Sequence, residues 1–290
     1  MSATVRNLTK DDLDEVTKVS QSVWEDDYAP TDFIGWLENE YWHPIGAFHN
    51  GELASFATLH IEPEANYAWV KALRTHAKYH HQGYGTLVVQ RTLDLAKEKK
   101  IREVRYATSS RNESSIGLAK KVGFELRDEV GYFRLEAPYP PRPKPSPAFI
   151  PLKVDARRVT EVLDRHPDLV GTSTFPISWE FENKDLEGLE RIQKKGEFFL
   201  IIDETGEVLT LYYRRIFERK GERMTTYSIF TRERSTFVDT ISRLIEESET
   251  EGTTRMVFFL GPNAKEWSSM LMLVPDEYSD RRFVLLSKML

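Results

Sequence analysis

The stretch ALRTHAKYHHQGYGTLVVQRTLDLAKEKK, Ala72 to Lys100, decides how the rest of the chain is read. Its opening residues read as a strand that ends at Leu73, Arg74 and Thr75. A short basic loop with Lys78, His80 and His81 follows, and Gly83 and Gly85 then open a helix. In that helix Gly85, Val88, Val89, Thr92, Leu93 and Ala96 share one face, and Gln90, Asp94, Lys97 and Glu98 share the other. Two glycines allow backbone N–H groups to come close to a ligand, because no side chain stands in the way. A helix N-terminus adds unpaired donors and a partial positive charge, so strand, loop and helix together predict a site for an anionic cofactor. Val88 stands where a dinucleotide fingerprint needs a third small residue, and no glycine-lysine-serine/threonine of a P-loop is present.

Upstream, Thr4 to Leu8 reads as a strand. Thr9 with Asp12 reads as a helix N-cap, before Leu13, Val16, Val19 and Val23 at helical spacing. Trp24, Tyr28, Phe33, Trp36 and Leu37 mark a second helical region. These aromatics are expected in the core, with Trp24, Tyr28 or Trp36 as the alternative lining of an acceptor pocket. Ile45 to Phe48 and Leu53 to His60 form a hairpin turned at Asn50 and Gly51, and Tyr67 to Thr75 is the strand that enters the glycine loop. Downstream, Val104 to Thr108 is a strand. Asn112 opens a short helix through Ser115, Leu118 and Val122, which Gly123 ends. Phe124 to Asp128 and Gly131 to Glu136 are expected to make a last hairpin.

The 290 residues suffice for two domains, and 40% hydrophobic with 30% charged residues describes an ordinary globular chain. A net charge of -6 gives no electrostatic reason to expect nucleic acid or an anionic membrane as partner. Without cysteine there are no disulfides, thiolate metal sites or cysteine nucleophiles. The opening MSATVRNLTKDDLDEV has no apolar leader and no run elsewhere would span a bilayer, so a cytoplasmic enzyme is expected. His76, His80 and His81 invite a metal reading, but they lie in strand and loop rather than on a helix, with no metalloprotease Glu, and no metal is expected.

The loop resembles the acetyl-CoA loop of the GNAT acetyltransferase superfamily, which runs Arg or Gln, two residues, Gly, one residue, Gly or Ala. His80, Gly83 and Gly85 take those places, and Leu73, Thr75 and Tyr79 match the apolar, apolar and aromatic positions before them. NESSIGLAKKVGF, from Asn112 to Phe124, resembles the second motif of the family, with Asn112 either a cofactor contact or only a cap. The resemblance implies an α/β (α+β) GNAT fold, a mixed and mostly antiparallel sheet flanked by helices. It also implies acetyl-CoA as co-substrate and transfer of the acetyl group to an amine. The implied cofactor contacts are Leu73, Arg74 and Thr75 toward the pantetheine arm, His80, His81, Gln82, Gly83, Tyr84, Gly85 and Thr86 around the pyrophosphate, and Asn112 with Ser115 beside them.

Prolines crowd 138–151, seven of the 14 in the chain, and read as a stiff linker between a catalytic domain over 1–137 and a second domain over 152–290. The second half shows a helix over Asp155 to Arg165, a hairpin of Phe198 to Ile202 with Val208 to Ile216, and a strand from Met224 to Phe230. A helix over Ser235 to Glu249, a strand over Arg255 to Leu260, a helix near Asn263 to Leu271 and a strand near Arg282 to Ser287 follow. That order nearly repeats the first half, so a degenerate GNAT-like module is expected. Its TRERST has no glycine, and it is expected to bind no acetyl-CoA.

The acid that the family often places four residues before the closing glycine is here Ala119. Tyr132 or Tyr84 is the candidate to protonate the departing thiolate, with departure of the thiolate without an acid as the alternative. Glu62 is the candidate base, with His60 and His76 behind it, and a solvated turn of Glu62 and Glu64 beside Pro63 is the alternative. The two-module layout is similar to that of histidine N-acetyltransferases, which makes a small amine or amino acid the expected acceptor. A non-catalytic acyl-CoA-binding module, favoured by Ala119, is the competing expectation.

Overall fold

The computed structural model describes residues 3–219, 221–268 and 274–290. They fall into two compact units. The first takes the chain up to Tyr106, then Asn112–Leu126 and Leu286–Leu290, and the second takes Ala107–Arg111 and Arg127–Leu285.

The first unit runs β1 (Ala3–Asn7), α1 (Leu13–Gln21), α2 (Ala29–Glu38), β2 (Trp42–His49), β3 (Glu52–Ile61), β4 (Tyr67–Thr75), α3 (Tyr84–Glu98), β5 (Glu103–Ser109, counted here through Tyr106) and α4 (Glu113–Lys121). Local chemistry explains the joints. Thr9 N–H donates to Asp12 Oδ2 at 2.8 Å, and Arg6 forks onto the same carboxylate at 2.8 and 2.7 Å, so the chain turns from β1 into α1 with its donors satisfied. Asn50 and Gly51 take φ of 49° and 91°, the left-handed pair that a tight hairpin requires. The sheet has the order β1-β2-β3-β4-β5 and is antiparallel except for β4 with β5. Val16, Val19, Phe33 and Trp36 of α1 and α2 are buried with Phe48, Leu53, Phe56 and Ala72 of the sheet. The apolar face of α3, including Val88, Val89 and Leu93, is buried as its period predicts.

The second unit continues with β6 (Glu125–Glu136, counted here from Arg127), β7 (Leu152–Val154), α5 (Ala156–Arg165), β8 (Thr174–Ile177), β9 (Glu180–Asn183), α6 (Leu186–Gln193), β10 (Glu197–Ile202), β11 (Val208–Arg219), β12 (Glu222–Thr231), α7 (Arg234–Thr250), β13 (Arg255–Leu260), α8 (Pro262–Ser268) and β14 (Arg282–Met289, counted here through Leu285). Its strands follow the order β6-β13-β12-β11-β10-β7, antiparallel except for β12 with β13, and β8 pairs with β9 apart from them. Each unit is a mixed, mostly antiparallel sheet flanked by helices, with one parallel pair joined through a long helix. The elements β7, β8, β9 and α6 escaped the sequence reading, and the end of the helix expected over Asn263–Leu271 lies outside the described residues.

Two sequence expectations need correcting. The hairpin expected at Phe124–Asp128 and Gly131–Glu136 is a single strand, β6. Gly131 is small because a Cβ there would meet Lys265 Cβ and Cγ at 2.9 Å, so it marks close packing rather than a turn. The units also divide the chain differently from the expected ranges 1–137, 138–151 and 152–290. The division falls at Leu126, and the proline run lies inside the second unit. It is strapped to its neighbours there: Tyr139 Oη donates to Thr253 O at 2.6 Å and Arg243 Nη2 donates to Ser146 O at 2.6 Å.

Candidate active site

The site begins with an extra residue in β4. Thr58 pairs with Lys71 and Phe56 with Arg74, so Ala57 alone opposes Ala72 and Leu73. This is a β-bulge, and Ala72 absorbs it with φ of 52° while remaining buried. On its other edge β4 pairs with β5 only from Tyr67↔Glu103 to Trp69↔Arg105. Beyond Trp69 the two parallel strands part. The carbonyls of Leu73 and Thr75 are met by side chains, Arg74 Nη1 at 3.0 Å and His80 Nε2 at 2.9 Å. An extended ligand could pair with that edge as an added strand would.

At the end of β4 the chain makes a short turn, Ala77–Tyr79, and Gly83 then caps α3 with φ of 88°. A Cβ on Gly83 would find no atom within 4 Å, so the glycine is required by its backbone angle and by the open space in front of it. On Gly85 a Cβ would meet Leu118 Cδ1 at 2.9 Å and Thr75 Oγ1 at 3.2 Å, so this glycine lets α3, α4 and β4 close together. No side chain caps α3 and its first turn holds no acidic residue. Asn112, Asp155 and Asp185 cap α4, α5 and α6, while the heads of α1, α2 and α7 lack a side-chain cap as α3 does but carry no glycine in front. The first amides of α3 therefore face outward as donors, an arrangement that suits a phosphate.

Behind the loop a polar network holds it to the β2–β3 turn. His49 Nδ1 hydrogen-bonds Tyr84 Oη, and Tyr79 Oη donates to Glu52 Oε2 at 2.7 Å beside Lys78. The Lys78 and Tyr79 hydrogen bonds hold the Glu52 carboxyl down to about 2. Tyr84 is thus tied into the support of the loop. Of the other expected contacts, His81 takes φ of 61° and is exposed, and Gln82 Nε2 donates to Lys78 O at 2.9 Å. Thr86 sits in the first turn of α3, and Asn112 Oδ1 accepts from Ser115 N at 3.3 Å.

Arg74 does not point at a ligand. Its Nε and Nη2 donate to Asp27 at 2.8 and 2.9 Å, both side chains are buried, and Trp24 lies 4.2 Å from its guanidinium. Burial alone would raise the Asp27 carboxyl, but the Arg74 hydrogen bonds and charge outweigh it and lower it.

The expected base and acid are not brought to the bulge. Glu62 follows β3 at its far end, five residues beyond Ala57, which is about 17 Å along a strand. His60 stacks on Trp42 at 4.1 Å, and His76 accepts from Lys78 N. Tyr132 belongs to the second unit, where it packs with Phe259, Tyr278 and Phe283. The sequence reading passed over Tyr106 of β5, the residue next to the last β4–β5 pair. Its hydroxyl bonds Ser115 Oγ of α4, and burial pushes the phenol up. Nothing in its place in the strand pattern sets it apart from a core tyrosine.

The corresponding place in the second unit is closed. There β12 and β13 stay paired from Met224↔Arg255 to Ile229↔Leu260, and Gly261 N donates to Ile229 O at 2.9 Å. The turn into α7 is Arg232-Glu233 with no glycine, and Arg232 is paired to Glu207. The second unit thus has neither the parted strands nor the glycine-fronted helix head of the first.

Among the described residues no group of His, Cys, Asp or Glu could hold a metal, and no helix is long and apolar enough to cross a membrane.

Parted parallel strands, a bulged strand and a glycine-fronted helix head come together in the first unit. Residues 6–124 match the model of the acetyltransferase (GNAT) family. Similar solved structures extend over both halves. A protein of Thermoplasma acidophilum is 17% identical, with 99% of this chain and 100% of that one covered at a TM-score of 0.61. A GCN5-related N-acetyltransferase from Sphaerobacter thermophilus is 14% identical, with 99% and 95% covered at 0.61. A tandem GNAT protein from the clavulanic acid biosynthesis pathway is 12% identical, with 99% and 98% covered at 0.58. At these identities the likeness is one of fold.

Proposed function

We propose that the protein is an N-acetyltransferase that moves an acetyl group from acetyl-CoA to the amine of a small molecule or amino acid, using one site, in the first unit. The observation that carries this reading is the glycine-fronted head of α3 behind Gly83, set at the end of a bulged strand that β5 pairs only as far as Trp69. The residues fit the co-substrate: the amides of Gly83 to Thr86 for the pyrophosphate, and the Leu73–Thr75 edge for the pantetheine arm. That cleft would hold the thioester for direct attack by a neutral amine. The two-module layout, which resembles that of histidine N-acetyltransferases, supports a small acceptor. The zipped β12–β13 pair supports a second module without cofactor.

The test is calorimetric titration of acetyl-CoA into the wild type and a Gly83→Glu variant. One site per chain is expected, lost in the variant because a carboxylate would occupy and repel the pyrophosphate position. Two sites would overturn the assignment to one unit, and none would remove the acetyltransferase reading. Ala119, buried where the family often has its acid, favours a second reading, an acyl-CoA-binding module without turnover. Steady thiol release with any member of an amine panel eliminates it.

A further inference from the structure

We infer that the acceptor amine carries an aromatic ring, which stacks on the exposed indole of Trp24; this rests on the acetyltransferase reading of the first unit. Trp24 follows α1, and it is 53% exposed where Phe33 and Trp36 of α2 are buried. The other five tryptophans of the chain are buried or half-buried. The indole is nevertheless fixed in place. The Arg74 guanidinium lies 4.2 Å from its ring centroid, and Asp27 holds that guanidinium at 2.8 and 2.9 Å. The backbone is held as well, since Trp24 N donates to Ser20 O at 2.9 Å and Trp24 O accepts from Asp27 N at 3.3 Å. Covering Arg74 engages one face of the ring, so a rigid, flat and partly bare surface remains.

The same guanidinium relates Trp24 to the cleft. Arg74 Nη1 donates to Leu73 O at 3.0 Å, so the indole and the Leu73 carbonyl contact one planar group. From these contacts and the C–N bond length, the ring centre lies no more than about 9 Å from the Leu73 carbonyl, on the edge assigned to the pantetheine arm. An amine two or three carbons from an aromatic ring suits that distance: the ring stacks on Trp24 with centroids about 5 Å apart, and the nitrogen extends toward β4.

Charge narrows the class. One face of the indole already meets a cation, so a second cation opposite it gains less than a neutral ring does. Glu25 and Asp26 follow Trp24 and are both exposed, so this rim attracts an ammonium and opposes a carboxylate. The acceptor is accordingly an arylalkylamine rather than a diamine or an aromatic amino acid. In the transfer step the lone pair of the deprotonated amine forms the C–N bond to the thioester carbon, the C–S bond breaks with its electron pair leaving on sulfur, and the proton lost by nitrogen passes to the thiolate through solvent. The ring only holds the nitrogen in place.

The experiment uses the full chain with acetyl-CoA and follows free thiol with 2-phenylethylamine, butylamine, 1,4-diaminobutane and phenylalanine, alongside calorimetric acetyl-CoA affinity. Phenylethylamine is expected to exceed each of the others in kcat/KM by about tenfold or more. Trp24→Leu, which still covers Arg74 but has no flat face, is expected to raise the KM for phenylethylamine about tenfold with acetyl-CoA affinity unchanged, and Trp24→Phe to keep that KM within about threefold. The proposal is overturned if wild type turns over any of the other three amines as well as phenylethylamine, or if Trp24→Leu leaves the preference intact. It is equally overturned if both variants slow all four amines alike, which would make Trp24 only a cover for Arg74, or if wild type binds acetyl-CoA and acetylates none of the four. Failure of wild type to bind acetyl-CoA would overturn the acetyltransferase reading itself.

Discussion

Arg74 illustrates how one side chain can serve a site without touching its ligand. Its guanidinium is held by Asp27, covered by Trp24, and hydrogen-bonded to the Leu73 carbonyl within the bulge. Removing the counter-charge would leave a buried cation, so Asp27→Asn is expected to cost about 3 kcal/mol, read as a lower midpoint in urea. The pH dependence has a definite sign. The Asp27 carboxyl is lower in the folded state than in the unfolded chain, so its contribution is present above the unfolded value near pH 4 and is lost as pH falls through the folded value. Wild type should therefore lose stability on acidification below about pH 4, and Asp27→Asn should lose less over the same range. None of this could be read from sequence order, because Asp27 and Arg74 are 47 residues apart and nothing local links them.

The heads of α3 and α4 differ in how they are closed. In α4, Asn112 closes the N-terminus through Ser115 N, and Ser115 also carries the bond to Tyr106. Asn112→Ala should cost about 1 kcal/mol in stability and loosen the turn that holds Ser115, whereas Asn112→Asp should keep both. The urea midpoints of the two variants decide between a cap and a cofactor contact alone. The head of α3 is the opposite case, uncapped and glycine-fronted, and this was legible because Gly83 and Gly85 sit at fixed offsets from a strand end. Glu62 misled for the same local reason. A carboxylate after a strand reads as near the cleft, but the direction of β3 puts it at the other end.

The chain returns at its end to where it began. Leu286–Leu290 belong to the first unit, Leu290 N donates to Arg102 O at 2.9 Å, and Lys288 Nζ donates to Val122 O. A fragment of residues 1–137 would therefore lack part of its own fold, and Leu286 is wholly buried. Deleting residues 286–290 from the full chain should destabilise the first unit by about 3 kcal/mol, the scale of removing one large core side chain. Thermal unfolding should show the loss, and an unchanged profile would contradict it.

Local pattern by itself determined the elements that surround the cleft: β4 to Thr75, the glycine-fronted α3, the Asn50-Gly51 turn and the Asn112 cap. Each depends on residues within a few positions of one another, where spacing and backbone angle suffice. Tertiary structure alone decided the bulge at Ala72, the parting of β4 from β5, and the contrast with the zipped β12–β13 pair. It also decided the return of the last five residues. Those depend on which strands run side by side and where their pairing stops. Pairing register is a relation between distant segments, which no single stretch of sequence contains.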